Sequence, residues 1–135
     1  MIVIDSSALV AILLAEADAD LLRDRLTHEV GALLSVANYV ETGQVLSQRK
    51  PDSIDAMLAD FHTFLQASQI TLAPIDEAQA RVALTARIKY GRGFGHPARL
   101  NYSDCFAYAL AKVRNLPLLF IGDDFTHTDI VSALD

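Results

Sequence analysis

A few acidic positions stand where a side chain could do chemistry. Asp5 directly follows the apolar run Ile2-Val3-Ile4, and Asp123-Asp124 follow Leu118-Leu119-Phe120-Ile121 after one glycine. Asp104 opens a helical pattern in which Tyr102, Cys105, Phe106, Ala109, Leu110 and Val113 share one face, yet Ala107, Tyr108 and Ala111 occupy its own side. A helix that is apolar on both sides, with one carboxylate at its start, suits a charge held in a cleft, where the helix dipole also favours it. Glu41 reads differently: periodicity turns Val36, Tyr39, Val40 and Leu46 inward and points Glu41 and Asn38 toward solvent. Each acid also has an ordinary use, capping a helix or shaping a turn, worth about 1 kcal/mol.

Gathered together, such carboxylates need neutralising. Two unit charges ~5 Å apart repel by about 3 kcal/mol at an effective dielectric near 20, against a whole-domain stability of ~5–15 kcal/mol. A hard divalent cation bound through oxygen relieves this at neutral pH. A set without His or Cys partners favours Mg2+, with Mn2+ as substitute, over zinc. His28, His62, His96 and His127 lack ligand spacing, and Cys105 lies on an apolar stripe and reads as packing. A cation on carboxylates suits phosphodiester hydrolysis, because it can activate water and stabilise charge on the attacking and leaving oxygens. The residues alone carry the reasoning to cation-dependent phosphoryl chemistry.

One basic window complements the acids. Between Arg87 and Arg99 the chain holds Arg87, Lys89, Arg92 and Arg99 and no acid, while the whole carries a formal charge of −6. A polyanion must therefore be met locally. With Tyr90, Phe94 and Tyr102 available for stacking, the window could guide a single strand toward Asp104; a solvated loop is the alternative. Its glycines do not read as a phosphate-cradling loop, since no strand precedes them.

The elements that must position these residues follow from pattern. Short apolar runs at 1–4, 31–34, 70–74 and 118–121 read as strands. Helical stretches fall at 8–15, 17–29, 35–50, from 52 or 53 with Ile54, Met57, Leu58, Phe61 and Leu65 on one face, 76–90, and from 101 or 103. Asp76 and Gln79 resemble a capping box, and 91–99 is a loop. The alternation predicts one α/β domain over 1–135, a small parallel sheet of about four to five strands with helices on both faces. In such sheets the ligand crevice lies beyond the carboxyl ends of the strands. The longest apolar run, Ala8 to Ala15, falls short of the ~20 residues of a membrane helix. One cysteine and no signal-like start lead to the expectation of a reducing, cytoplasmic setting.

Three blocks carry a resemblance: Met1-Ile-Val-Ile-Asp-Ser-Ser-Ala-Leu-Val-Ala-Ile-Leu13, Asn101-Tyr-Ser-Asp-Cys-Phe-Ala-Tyr-Ala-Leu-Ala-Lys112, and Leu118-Leu-Phe-Ile-Gly-Asp-Asp-Phe-Thr-His-Thr-Asp-Ile130. In order and spacing the chain resembles PIN-domain ribonucleases, in particular the VapC toxins of bacterial toxin–antitoxin pairs, across nearly its whole length. The resemblance implies a cleft of acids made by Asp5, Glu41, Asp104 and one of Asp123 and Asp124, with Asp5, Asp104 and Asp123 on the metal and Ser6 contributing beside Asp5. Glu41 enters only through it. It further implies endonucleolytic cleavage of RNA, a cognate antitoxin over the cleft and basic loop, and a homodimer, for which the apolar faces of helices 8–15 and 36–47 are the expected surface. Arg87, Arg92 and Arg99 are the candidate RNA contacts. Two other readings stay open: a different metal-dependent phosphoesterase, and a non-catalytic interaction module whose acids only cap helices.

Overall fold

Alternation along the first strand sets up two layers of core. Successive strand side chains face opposite sides. In the computed structural model, which describes residues 1–135, Ile2 and Ile4 enter one apolar cluster and Val3 the other. The elements run β1 (Ile2–Ile4), α1 (Ser6–Leu13), α2 (Ala19–Thr27), β2 (Ala32–Ser35), α3 (Val36–Arg49), α4 (Ile54–Ala67), β3 (Ile70–Ala73), α5 (Glu77–Tyr90), α6 (Asp104–Arg114) and β4 (Leu118–Leu119). A short 3-10 turn, Pro51–Ser53, separates α3 from α4, because the residue before a proline is pushed out of helical geometry.

All strand pairs are parallel, in the order β3-β2-β1-β4. The chain steps outward from β1 to β3, then returns to place β4 on the other side of β1. The order therefore reverses between β1 and β4, and the crevice of an open parallel sheet forms beyond the carboxyl ends at such a reversal. Leu9, Ile12, Leu22, Phe61 and Leu65 from α1, α2 and α4 cover one face of the sheet. Ala83, Ala86, Cys105 and Leu110 from α5 and α6 cover the other. The expected α/β architecture, with four strands and helices on both faces, is present. No helix is long and apolar enough to cross a membrane.

Several local expectations are corrected. The final strand covers only Leu118–Leu119, not 118–121, because the Ile121 amide leaves the ladder and donates to the Ser7 hydroxyl (3.2 Å). Helix α1 runs over Ser6–Leu13, and Ala8, Leu9, Val10, Ala11 and Ile12 are all buried within the chain. Its apolar face is spent on the core and cannot serve a dimer. On α3 the buried positions are Asn38, Thr42 and Leu46, whereas Val40 is 65% exposed; the stripe inferred from apolar residues is rotated from the one that packs. Asp76 accepts from the Gln79 amide as a cap, but the Gln79 side chain donates to Pro74 O instead of closing a box.

Candidate active site

Asp5 ends β1 and caps α1 at once. Its amide donates to Leu119 O (2.9 Å), anchoring it to β4. Its Oδ2 accepts from the Ser7 amide (3.0 Å) and the Ser7 hydroxyl (2.7 Å). Oδ1 is buried with no hydrogen-bond partner. Burial pushes this carboxyl up to about 6, opposed by the Ser7 hydrogen bonds and reinforced by the Glu41 charge.

Asp104 repeats the arrangement at the head of α6. Its Oδ2 accepts from the Asn101 amide (2.9 Å), while its own amide donates to Asn101 Oδ1 (2.9 Å), a reciprocal pair that fixes the helix start. Oδ1 takes no hydrogen bond from the chain. The residue is 5% exposed. Burial is the main force raising its carboxyl to about 8, and the charges of Asp5, Asp124 and Glu41 raise it further. Each buried acid therefore spends one oxygen on local backbone and leaves the other free.

Glu41 is half-buried on α3, and its Oε2 accepts the Ser103 hydroxyl. Beneath it lies Asn38, which periodicity had turned to solvent and which is in fact fully buried. Its Nδ2 donates to Ser6 Oγ and to Ser103 O, both at 3.2 Å, and its Oδ1 has no partner. One amide thus ties the start of α1, α3 and the approach to α6, the three segments bearing Asp5, Glu41 and Asp104. Ser6 itself is buried, with its hydroxyl donating to Asn38 O (3.2 Å). The hydroxyl beside Asp5 belongs to Ser7. Asp123 and Asp124 are both exposed beyond β4. Asp124 adds to the field at Asp104; Asp123 is not among the charges raising Asp5 or Asp104.

The basic window divides. Arg87 is half-buried and donates from Nη1 to Arg92 O (2.9 Å), with its guanidinium over the Phe94 ring, so it staples the loop it begins. Gly91 lies so close to it that a Cβ there would strike the Arg87 carbonyl and guanidinium. Arg92 and Arg99 are exposed. Tyr90 is 4% exposed, packed edge-on against His96, and is unavailable for stacking; Tyr102 is 72% exposed.

The donor set suits a hard divalent cation: carboxylate oxygens, one buried and unpartnered at Asp5 and a second free at Asp104. No three acidic, His or Cys side chains close a coordination shell between them. Mg2+ ordinarily takes only one or two carboxylates, its remaining positions going to water and substrate phosphate, so two free oxygens on rigid segments meet its usual demand on protein.

The profile of the family described as PIN domain matches residues 2–131. VapC ribonuclease Mb2780c of Mycobacterium bovis is 44% identical, over 97% of this chain and 98% of its own length. Ribonuclease VapC28 of Mycobacterium tuberculosis is 41% identical, over 98% of each. Among solved structures, Mycobacterium tuberculosis VapC20, described as a Sarcin-Ricin loop cleaving toxin, superposes with a TM-score of 0.76 at 13% identity over 97% of each chain. A toxin–antitoxin complex from Klebsiella pneumoniae gives 0.70 at 15%, covering 100% of this chain and 98% of that one. The match along almost the whole chain, on a fold whose strand reversal brings Asp5 and Asp104 to one crevice, places this chain in the PIN domain family, among the VapC ribonucleases.

Proposed function

We propose that the chain is a divalent-cation-dependent endoribonuclease, the toxin of a toxin–antitoxin pair, cutting RNA at the crevice of Asp5, Glu41, Asp104 and Asp124. The observation that carries this is the pair Asp5 and Asp104. Each is buried, raised by its surroundings and left with one carboxylate oxygen unspent. A fold seeking only helix caps would gain nothing from burying the second oxygen of Asp5, since an unpaired buried acceptor costs ~1–3 kcal/mol.

Asp5 and Asp104 would hold the cation, Mg2+ with Mn2+ as substitute, which when bound supplies Lewis-acid polarisation of a phosphate oxygen and lowers the pKa of water. The chain's own residues do the rest. Ser7 clamps Asp5 Oδ2 so that Oδ1 stays presented. Glu41 is held through Ser103 against the segment that bears Asp104. Hydrolysis adds water across one P–O bond, so a proton must leave that water; Asp124, exposed and with neither carboxylate oxygen engaged, is the acid open to accept it. Asp123 stands exposed at the rim, and its charge is not among those acting on Asp5 or Asp104. Arg92 and Arg99 approach the phosphate backbone, and Arg87 keeps their loop in place.

The relatives named as ribonucleases support RNA as the substrate, and the toxin–antitoxin neighbour supports a cognate antitoxin as partner. A homodimer belongs to the same reading; Leu84 (63% exposed) and Ile88 (56% exposed) leave an apolar strip on α5 that favours it. The cytoplasm, where RNA is at hand, is the expected compartment. Incubating RNA with protein and Mg2+, beside EDTA and Asp5→Asn controls, tests the activity: cleavage that stops in both controls supports it, and cleavage that persists in the variant overturns it.

A further inference from the structure

A cavity of about 440 Å3 opens beside the acids, sharing Glu41 and Ser103 with them and walled further by Val40, Gln44 and Tyr102. Its apolar walls, Val40 and Tyr102, are open to solvent in the single chain. Val40, on α3, is 65% exposed and Tyr102, in the turn before α6, is 72% exposed. The Tyr102 ring is steadied from behind by the Phe106 ring, edge to face with centroids 5.0 Å apart. Gln44, one turn beyond Glu41 on α3, is exposed and makes no hydrogen bond within the chain, so its amide presents a donor and an acceptor to whatever enters.

An aromatic face, an aliphatic wall and an unspent amide form the set that recognises an unpaired nucleobase. Single-stranded RNA is read by stacking bases on aromatic rings and bonding their free edges, and a Gln amide matches the paired donor and acceptor of an adenine edge. We infer that this cavity is a base-binding subsite, holding the base of a nucleotide next to the scissile phosphate, with Tyr102 as its stacking platform and Gln44 as its reader. The inference rests on the ribonuclease reading above and adds to it the source of sequence preference. Continuity is its strongest support: Glu41 borders the cavity and also faces Asp104, so a strand with its phosphate at the acids has a neighbouring base within reach of Tyr102. Phe94, the other exposed ring of this region, lies under Arg87 and is already engaged.

The test uses two readouts. In the Asp5→Asn background with Mg2+, anisotropy of fluorescein-labelled single-stranded RNA oligonucleotides reads binding; Tyr102→Ala should weaken it about ten-fold, the loss expected for one stacked base, while Tyr102→Phe stays within about two-fold. In otherwise wild-type protein, end-sequencing of cut mixed-sequence RNA should show one flanking position losing its base preference in Tyr102→Ala and changing it in Gln44→Glu. Tyr102 is exposed, and an unchanged melting curve separates subsite loss from misfolding. If wild type cuts RNA and Tyr102→Ala binds and cuts with the same affinity and preference, the subsite is refuted. If folded wild type neither binds nor cuts RNA, the ribonuclease reading has failed and the subsite falls with it.

Discussion

Replacing Asp104 with Asn separates a cation-holding acid from a helix cap. Asp104 is raised to about 8 from an ordinary 3.8, so at pH 7 the native carboxyl holds a proton that the unfolded one has released. A native pKa above the unfolded one makes a contribution that is whole below about pH 4 and lost as pH rises to about 8. At ~1.4 kcal/mol per pH unit, Asp104 costs the metal-free protein on the order of 4 kcal/mol by pH 7. Asn keeps the acceptor for the Asn101 amide and cannot ionise. In EDTA at pH 7, Asp104→Asn should therefore melt about 14 °C higher than wild type, and the gap should shrink toward pH 4. Mg2+ should raise the wild-type Tm, more at pH 8 than at pH 6, because deprotonated carboxylates are what bind it. The variant should lose most of that response. A calorimetric titration across pH 4 to 8, with and without Mg2+, reads all of this. A variant that melts lower by the worth of a lost cap, about 1 kcal/mol, beside a wild-type Tm indifferent to Mg2+, would refute the reasoning.

Single-turnover RNA cleavage should fall about a hundred-fold in Asp124→Asn, the scale of a lost proton acceptor, and much less in Asp123→Asn; equal losses would undo the choice between them. Asn38→Ala strips partners from the Ser6 hydroxyl and the Ser103 carbonyl in a buried network, and denaturant unfolding should show a loss of ~2–4 kcal/mol. A change under 1 kcal/mol would mean Asn38 does not tie the segments. Gly91→Ala drives a methyl into the Arg87 carbonyl and guanidinium, so amide exchange over 91–100 should accelerate, with overall stability down by ~1–3 kcal/mol. Unchanged protection there would show the loop is not pinned at Arg87.

Much of the site was legible one residue at a time. Asp5 stood out because it follows an apolar strand run, at the carboxyl end where the crevice of a parallel sheet opens, and Asp104 because its helix offers no solvated side. The parallel α/β layering followed from the alternation of short apolar runs with amphipathic ones, a local property. The polar connections between segments were not legible. Asn38 looked exposed since an apolar neighbour, Val40, outranked it in any hydrophobic pattern, yet packing against Ser6 and Ser103 buried the amide and left the valine at a cavity.

Sequence by itself determined which acids exist and at which element ends they sit, because strand and helix signals depend on neighbours within a few residues. Only the tertiary structure decided which of them meet. The β1–β4 pairing brings positions more than a hundred residues apart to one edge. That pairing also hands the Ile121 amide to Ser7 and sets Asp124's charge beside Asp104, while the packing of α5 on α6 buries Tyr90 and leaves Tyr102 open. Such choices arise from desolvation and hydrogen bonding between segments remote along the chain, energies that no local window contains.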